Sequence, residues 1–352
     1  MKDRLREVAR RGAADARAYR ATPSSLASSP LGDFGAGGVA EASARRVLHA
    51  LHVPPAVVAR NGSAFGERYA YWHGARCTLD RESWRRLTRG TVILMYHAVG
   101  RPGEPASRFV VPARRFEQQL RRLRRMRRPV LGLAELVRYR QAGRLPPAGA
   151  VVITLDDGFA DNGDLAAPLL RRFGLPATLF AVADRVGGRA DWDGAGELAA
   201  RPLLDWPALA ELQRDGIEIG AHSRTHPRLP ELDHEEAVRE IAGSRDALSD
   251  RLGVPVSSFC YPYGRKTVEV VDLVARAGFD CACGIDRGLN YPNTPLHELR
   301  RSPVDGNASI LRFVLGVRFG DPDVLVRLLG RLHSAAVAHV GAAPPRLWTE
   351  PP

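Results

Sequence analysis

From Thr91 onward the chain alternates short apolar runs with longer stretches whose apolar residues recur at helical spacing, and this alternation constrains the fold more than any single residue does. The runs TVILMYH (91–97), AVVITLD (150–156), ATLFAVA (177–183), IEIGAH (217–222) and SSFCYP (257–262) are expected to be strands. Helices are expected at PARRFEQQLRRLRRM (112–126), LAAPLLRRFG (165–174), WPALAELQRDG (206–216), HEEAVREIAGSRDALSDRLG (234–253) and TVEVVDLVARAGF (267–279). Several of these end at the glycine that commonly follows a helix. Strand and helix alternating in this way predict a parallel sheet, open or closed into a barrel, with functional residues at the C-terminal ends of the strands.

The first 90 residues follow a different pattern. Up to about residue 60 they are rich in Ala, Arg, Ser and Gly, with a loop-like centre at TPSSLASSPLGDFGAGG (22–38) and a helix expected at VAEASARRVLHALHV (39–53). Residues 65–90 are more aromatic and are expected to pack against the main body. The spacing therefore divides the chain into a mainly helical, partly flexible N-terminal extension (1–90), a domain of alternating strands and helices (91–318), and a C-terminal helix with a Pro-rich tail (319–352).

With 352 residues, 45% of them hydrophobic, the chain has material for a substantial core. Its apolar runs fall far short of the ~20 residues that span a bilayer. The N-terminus MKDRLREVARRGAADARAYR is charged throughout and lacks the apolar centre of a secretory signal, which leads us to expect a cytoplasmic protein. The four cysteines, Cys77, Cys260, Cys281 and Cys283, show no CxxC pairing and are expected to be unpaired thiols of a reducing compartment. Lys and Arg exceed Asp and Glu by 51 − 39 = 12, an excess that is nearly all arginine and carries little functional weight by itself.

Phe116, Leu120 and Leu123 give the stretch 112–128 one buried face, and eight arginines lie between Arg114 and Arg128. That basic face is either simply solvated or in peripheral contact with an anionic membrane surface or polyanionic carrier. Nucleic acid is not an expected partner, because no aromatic residues interleave with the arginines.

Three strand ends carry chemistry. VVITLDDG (151–158) runs from a buried strand into Asp156 and Asp157, whose mutual repulsion calls for a nearby cation unless the pair is an exposed turn. AHSRTHP (221–227) brings His222 and His226 at a spacing that would put both imidazoles on one side of a helical turn, cut short by Pro227. Two histidines and a carboxylate can form a three-ligand site with an open position, the composition of a catalytic zinc centre. FCYPYG (259–264) is either a tight aromatic turn or a third wall of the same site.

TLDDG (154–158), HSRTHP (222–227) and YPYG (261–264) together resemble the signature motifs of the polysaccharide deacetylases, the NodB-homology or carbohydrate esterase family 4 group. LMYHAVG (94–100), GLPATLF (174–180), EIGAHSRTHPRL (218–229) and ELRRSPV (298–304) extend the resemblance from about Thr91 to about Gly316.

The resemblance implies a distorted (β/α) barrel binding a divalent metal, zinc before cobalt or nickel, through Asp157, His222 and His226. It makes Asp156 the general base and places the backbone N–H of Tyr263 at the oxyanion. Many members carry an arginine where this chain has Cys260; Arg301, in RRSPV, is the candidate to supply that charge. The late Leu-x-His motif that provides a proton donor is not evident. RLHS puts His333 in the corresponding part of the chain without the leucine at the right offset, and His97 is an alternative polar group near the site. The implied activity is removal of an N-acetyl group from an N-acetylated polysaccharide, glycoconjugate or aminosugar. A glycan-binding protein that keeps the barrel without turnover is the alternative.

Overall fold

The computed structural model describes residues 2–58, 63–192, 194 and 196–326. Its strands, in chain order, are β1 (Val92–Tyr96), β2 (Ala98–Gly100), β3 (Val110–Pro112), β4 (Val130–Leu131), β5 (Val151–Leu155), β6 (Thr178–Ala181), β7 (Glu218–Ala221), β8 (Ser258–Cys260), β9 (Cys281–Cys283) and β10 (Ser302–Pro303). Eight of them form one sheet in the order β10-β1-β5-β6-β7-β8-β9, with β4 beside the start of β5, while β2 pairs with β3. Every ladder between named strands is parallel. Every residue of β1 and β5 is buried, as expected of parallel strands covered on both faces.

The segment 299–303 nearly closes the sheet on itself: Leu299 bridges to Cys283 on one side, and Ser302 and Pro303 pair with Leu94 and Met95 on the other. The result is the distorted parallel barrel that the motif resemblance implies, and the closed form of the two that the alternation allows. The expected helices form around it, including Ala113–Arg125, Trp206–Arg214, His234–Leu252 and Val268–Arg276. In Ala113–Arg125, Phe116, Leu120 and Leu123 are buried, whereas Arg114, Arg121, Arg122, Arg124 and Arg125 face outward. Among the described residues no helix is long and apolar enough to cross a membrane.

The N-terminal region is helical, with Lys2–Ala21, Val39–Ala50, Ala64–Thr78 and Arg81–Thr88 as its main pieces. It docks at the feet of the strands. Thr91 and Asn290 exchange backbone hydrogen bonds of 2.8 and 2.7 Å just before β1, and the adjoining residues receive the cap. The Asn293 amide donates to the Ser29 carbonyl (3.1 Å), and Arg46 donates to the Tyr291 hydroxyl (2.9 Å).

Strand register decides what the opposite rim contains. Pairing of Tyr96 with Leu155 sets His97 and Asp156 level with each other. Ala221 lies opposite Ala181 on one side and Phe259 on the other, so His222 and Cys260 emerge on the same rim.

Candidate active site

Asp156 follows β5 directly, and the next residue, Asp157, has a left-handed backbone (φ 73°), as does Gly158 (φ 74°). That conformation is unusual for a residue with a side chain, and it turns the chain sharply away from the strand. It lets Asp156 and Asp157 leave the strand end in different directions.

The two histidines are not on a helical turn. After β7 the chain passes through left-handed residues at Ser223 (φ 61°) and His226 (φ 66°). Side chains hold this irregular turn by taking up backbone donors that a helix would have used internally. The Glu240 carboxylate accepts from the N–H groups of Arg224 (2.8 Å) and Thr225 (2.9 Å) and from the Thr225 hydroxyl (2.6 Å). The Ser223 hydroxyl accepts from the His226 N–H (2.9 Å). The imidazoles still converge, with His222 Nε2 3.4 Å and His226 Nε2 3.5 Å from Asp157 Oδ1.

Asp157, His222 and His226 form a buried donor set able to hold a metal ion. The His222 Nδ1–H donates to the Cys260 carbonyl (2.7 Å), which leaves Nε2 to face the carboxylate. Donor atoms bonded to a tetrahedral cation at 2.0–2.1 Å stand about 3.3–3.4 Å apart, close to the two separations seen here. The residues present therefore fit a small divalent cation.

Burial raises the Asp157 carboxyl, but the hydrogen bond from His222 and the imidazoles around it more than offset this and hold it below the usual carboxylate range. Burial and the neighbouring His222 push His226 down to about 3, so that it presents a neutral ring with its lone pair available.

Asp156 lies beside this set but is turned toward Arg301. The guanidinium grips it with both Nη atoms, at 2.6 Å to Oδ1 and 2.8 Å to Oδ2, and Arg301 is itself held by the Gly284 carbonyl (2.7 Å) and the Thr154 hydroxyl (3.2 Å). Burial opposes the charge on Asp156, and the Arg301 charge overrides it, so the group is held ionised below its ordinary range. Cys260 Sγ contacts both partners, at 3.1 Å from Arg301 Nη2 and 3.8 Å from Asp156 Oδ2. The position where related motifs carry arginine thus holds a cysteine, and the positive charge reaches the aspartate from the neighbouring 299–303 segment.

His97 Nε2 stands 3.9 Å from Asp156 Oδ2, with the Phe109 ring edge-on at 5.0 Å. Tyr263 also has a left-handed backbone (φ 55°), its ring 4.6 Å from that of His226, and its hydroxyl donates to the Trp192 carbonyl (3.4 Å). The Trp192 ring lies 4.7 Å from His226 on another side. His333 lies outside the described residues.

The structure thus gathers Asp156, Asp157, His222, His226, Arg301, His97 and Tyr263 on one rim. Sequence reasoning missed Glu240, Trp192 and the Cys260 carbonyl. Trp192, an isolated aromatic in a Gly- and Ala-rich stretch, was the one with a visible signal.

The barrel has the fold of the NodB-type polysaccharide deacetylases. The chain carries a polysaccharide deacetylase domain: residues 144–282 match the family model of that description. YxkH of Bacillus subtilis (strain 168), whose name assigns it provisionally to the polysaccharide deacetylases, is 25% identical over 229 residues, covering 64% of this chain and 76% of that protein. The poly-beta-1,6-N-acetyl-D-glucosamine N-deacetylase of Staphylococcus aureus (strain MSSA476) is 20% identical over 209 residues, covering 57% and 69%. Among solved structures, IcaB from Ammonifex degensii aligns with a TM-score of 0.53 at 25% identity, covering 61% of this chain and 92% of that one.

Proposed function

We propose that this protein is a metal-dependent hydrolase that removes the acetyl group from an N-acetylated sugar, releasing acetate and a free amine. The observation that carries the reading is the adjacency of two differently equipped carboxylates: Asp157 shares a donor set with His222 and His226, and Asp156 is held ionised beside it by Arg301. A divalent cation held by Asp157, His222 and His226, zinc by the chemistry of the donors, would supply Lewis-acid polarisation of the acetyl carbonyl and lower the pKa of water.

Asp156 takes the proton of the attacking water. Its two bonds to Arg301 leave lone pairs on both oxygens, so the ion pair keeps the base charged and aimed without consuming it. The backbone N–H of Tyr263, presented by its left-handed turn, stabilises the charge that develops on the acetyl oxygen. His97 donates the proton that the departing nitrogen needs. Among the described residues it is the imidazole outside the donor set that approaches Asp156. Trp192 and Tyr263 wall the site with flat apolar surface suited to the face of a pyranose ring. An N-acetylated glycan, glycoconjugate or aminosugar is the substrate class.

Protein stripped with chelator and reloaded with Zn²⁺, Co²⁺ or Ni²⁺ is expected to release acetate from N-acetylchitooligosaccharides only in the reloaded state. Asp156→Asn should retain the metal while turnover falls by about 10²–10⁴-fold. Metal-independent turnover would overturn the proposal. So would loss of metal from Asp156→Asn, which would show that the roles of the two aspartates are wrong. A metal-loaded protein that binds the oligosaccharide without releasing acetate would be a glycan-binding protein instead.

A further inference from the structure

The stretch that opens the site continues past the two aspartates as Gly158-Phe159-Ala160-Asp161-Asn162, and its last two residues have no part in the donor set or the base. Both are buried, with Asp161 4% and Asn162 1% exposed. Their partners lie some sixty residues earlier in the chain. Asp161 Oδ1 accepts from the Val99 N–H at 2.7 Å, and Asn162 Nδ2 donates to the His97 carbonyl at 2.9 Å. The Asn162 amide also donates to Asp161 Oδ1 at 3.1 Å, which ties the two side chains together. Consecutive residues thus hold the backbone on both sides of Ala98.

We propose that Asp161 and Asn162 are positioning residues that fix the His97 backbone so that its imidazole stays within reach of the leaving nitrogen. The inference rests on His97 being the proton donor. Its physical basis is the loss of support where β1 ends. Beyond Tyr96 the chain leaves the barrel ladder, and β2 pairs with β3 alone, through contacts such as Ala98 N–H to the Phe109 carbonyl at 3.1 Å. The Asp161–Asn162 pair braces this rim segment from the β5 side.

Two further features point to placement rather than bulk stability. Asn162 Oδ1 is buried with no partner among the described residues. An unsatisfied buried acceptor is a cost that an apolar residue of the same size would avoid. The second oxygen of Asp161 is anchored by Arg201 Nε at 2.6 Å, and Arg201 is in turn paired with Glu104 at 2.6 Å, so the clamp is itself held rigid.

The test compares wild type, His97→Ala, Asn162→Leu and the double variant, all zinc-loaded, on two substrates. N,N′-diacetylchitobiose needs its leaving nitrogen protonated; 4-nitrophenyl acetate has a leaving group that departs without a proton. Asn162→Leu is expected to lower kcat on the amide about 10- to 100-fold with KM, zinc content and Tm preserved, because a small misplacement of a reacting group has a cost of this order. It should stay near wild type on the ester, mirror His97→Ala, and add nothing in the double variant. If Asn162→Leu does not fold, Asn162→Ser, whose hydroxyl is too short to reach the His97 carbonyl, should show the same pattern.

Equal losses on both substrates, or additive losses in the double variant, would overturn the inference. An impaired His97→Ala beside an unimpaired Asn162→Leu would overturn it alone and leave His97 as donor. A His97→Ala variant that keeps amide turnover would remove the donor and the inference with it, while leaving metal-dependent deacetylation standing.

Discussion

Asp157, Ser223, His226 and Tyr263 all have left-handed backbones, and all four sit in the three strand-end motifs. Such conformations persist only where the surroundings over-determine them, and here they let main chain leaving neighbouring strands aim side chains at one point. The Asp156–Arg301 pair is a second kind of constraint, a fully buried ion pair in bidentate geometry. Removing one partner of such a pair leaves an uncompensated buried charge, which typically costs about 3–5 kcal/mol, whereas removing both is far less costly. Arg301→Met is therefore expected to unfold at markedly lower urea concentration than wild type, and Asp156→Asn/Arg301→Met to recover most of that loss, with neither variant active. A wild-type-like urea midpoint for Arg301→Met would show that Asp156 draws its compensation from elsewhere. Asp157 and His222 were legible as candidate ligands because they stand at the ends of apolar runs, and His226 because it follows His222 by four residues. Arg301 was legible only through its motif, since nothing in its local sequence indicates a partner 145 residues away. Asp161 and Asn162 were not legible at all: their partners are main-chain groups, which carry no residue-type signature.

The turn after β7 depends on Glu240, which lies in the helix His234–Leu252 and takes three donors from Arg224 and Thr225. Glu240→Ala should let the turn relax and carry His226 off its position. Outer-shell losses of this kind typically weaken metal binding 10- to 100-fold, which competition with a chromophoric zinc chelator would measure. Unchanged zinc affinity would mean that the turn holds its shape without Glu240.

At the other end of β7, Glu218 accepts from the Ala134 N–H (3.0 Å) and the hydroxyls of Ser258 (3.0 Å) and Thr178 (3.3 Å). Burial raises its carboxyl above the ordinary range, and these donors only partly offset it. An acid with a raised folded-state pKa stabilises the fold while protonated, and that contribution is lost as pH rises through the folded value. Glu218→Gln should therefore raise Tm relative to wild type at about pH 8 and give no such gain at about pH 4.5. β1, β5, β6, β7 and β8, the last only three residues long but inside the longer apolar run SSFCYP, and the helices around them were legible from their apolar runs and helical spacing. β2, β3, β4, β9 and β10, of two or three residues each, were not, because a period of two cannot be recognised in so short a run. The expected helical turn at His222–His226 failed for a related reason: a spacing of four residues shows proximity without showing that Glu240, rather than a helical ladder, satisfies the backbone.

On the scale of the whole molecule, cap and site occupy opposite ends of the barrel. The cap meets the barrel through an aromatic cluster at the feet of the strands, where Phe34 is fully buried with its ring 4.8 Å from Trp72, 6.1 Å from Trp84 and 6.2 Å from Tyr291. The guanidinium groups of Arg45 and Arg46 lie over the same ring, and Arg46 also ties Tyr291 to the Thr88 carbonyl (2.8 Å). Truncating a phenylalanine in such a core typically costs about 3–5 kcal/mol, so Phe34→Ala should lower Tm and allow limited proteolysis to cut first on the N-terminal side of Thr91. The chemistry should be indifferent to this. Asp156, His222 and Cys260 emerge at the far rim, and their positions are set by ladders among β1, β5, β6, β7 and β8 that Phe34 does not touch. At 25 °C, Phe34→Ala is therefore expected to keep wild-type zinc affinity and wild-type kcat for acetate release from a soluble oligosaccharide. A fall in kcat at a temperature where the barrel is still folded would show that the cap acts on the rim through the strands, and would give the first 90 residues a part in catalysis that the separation of the two ends does not predict.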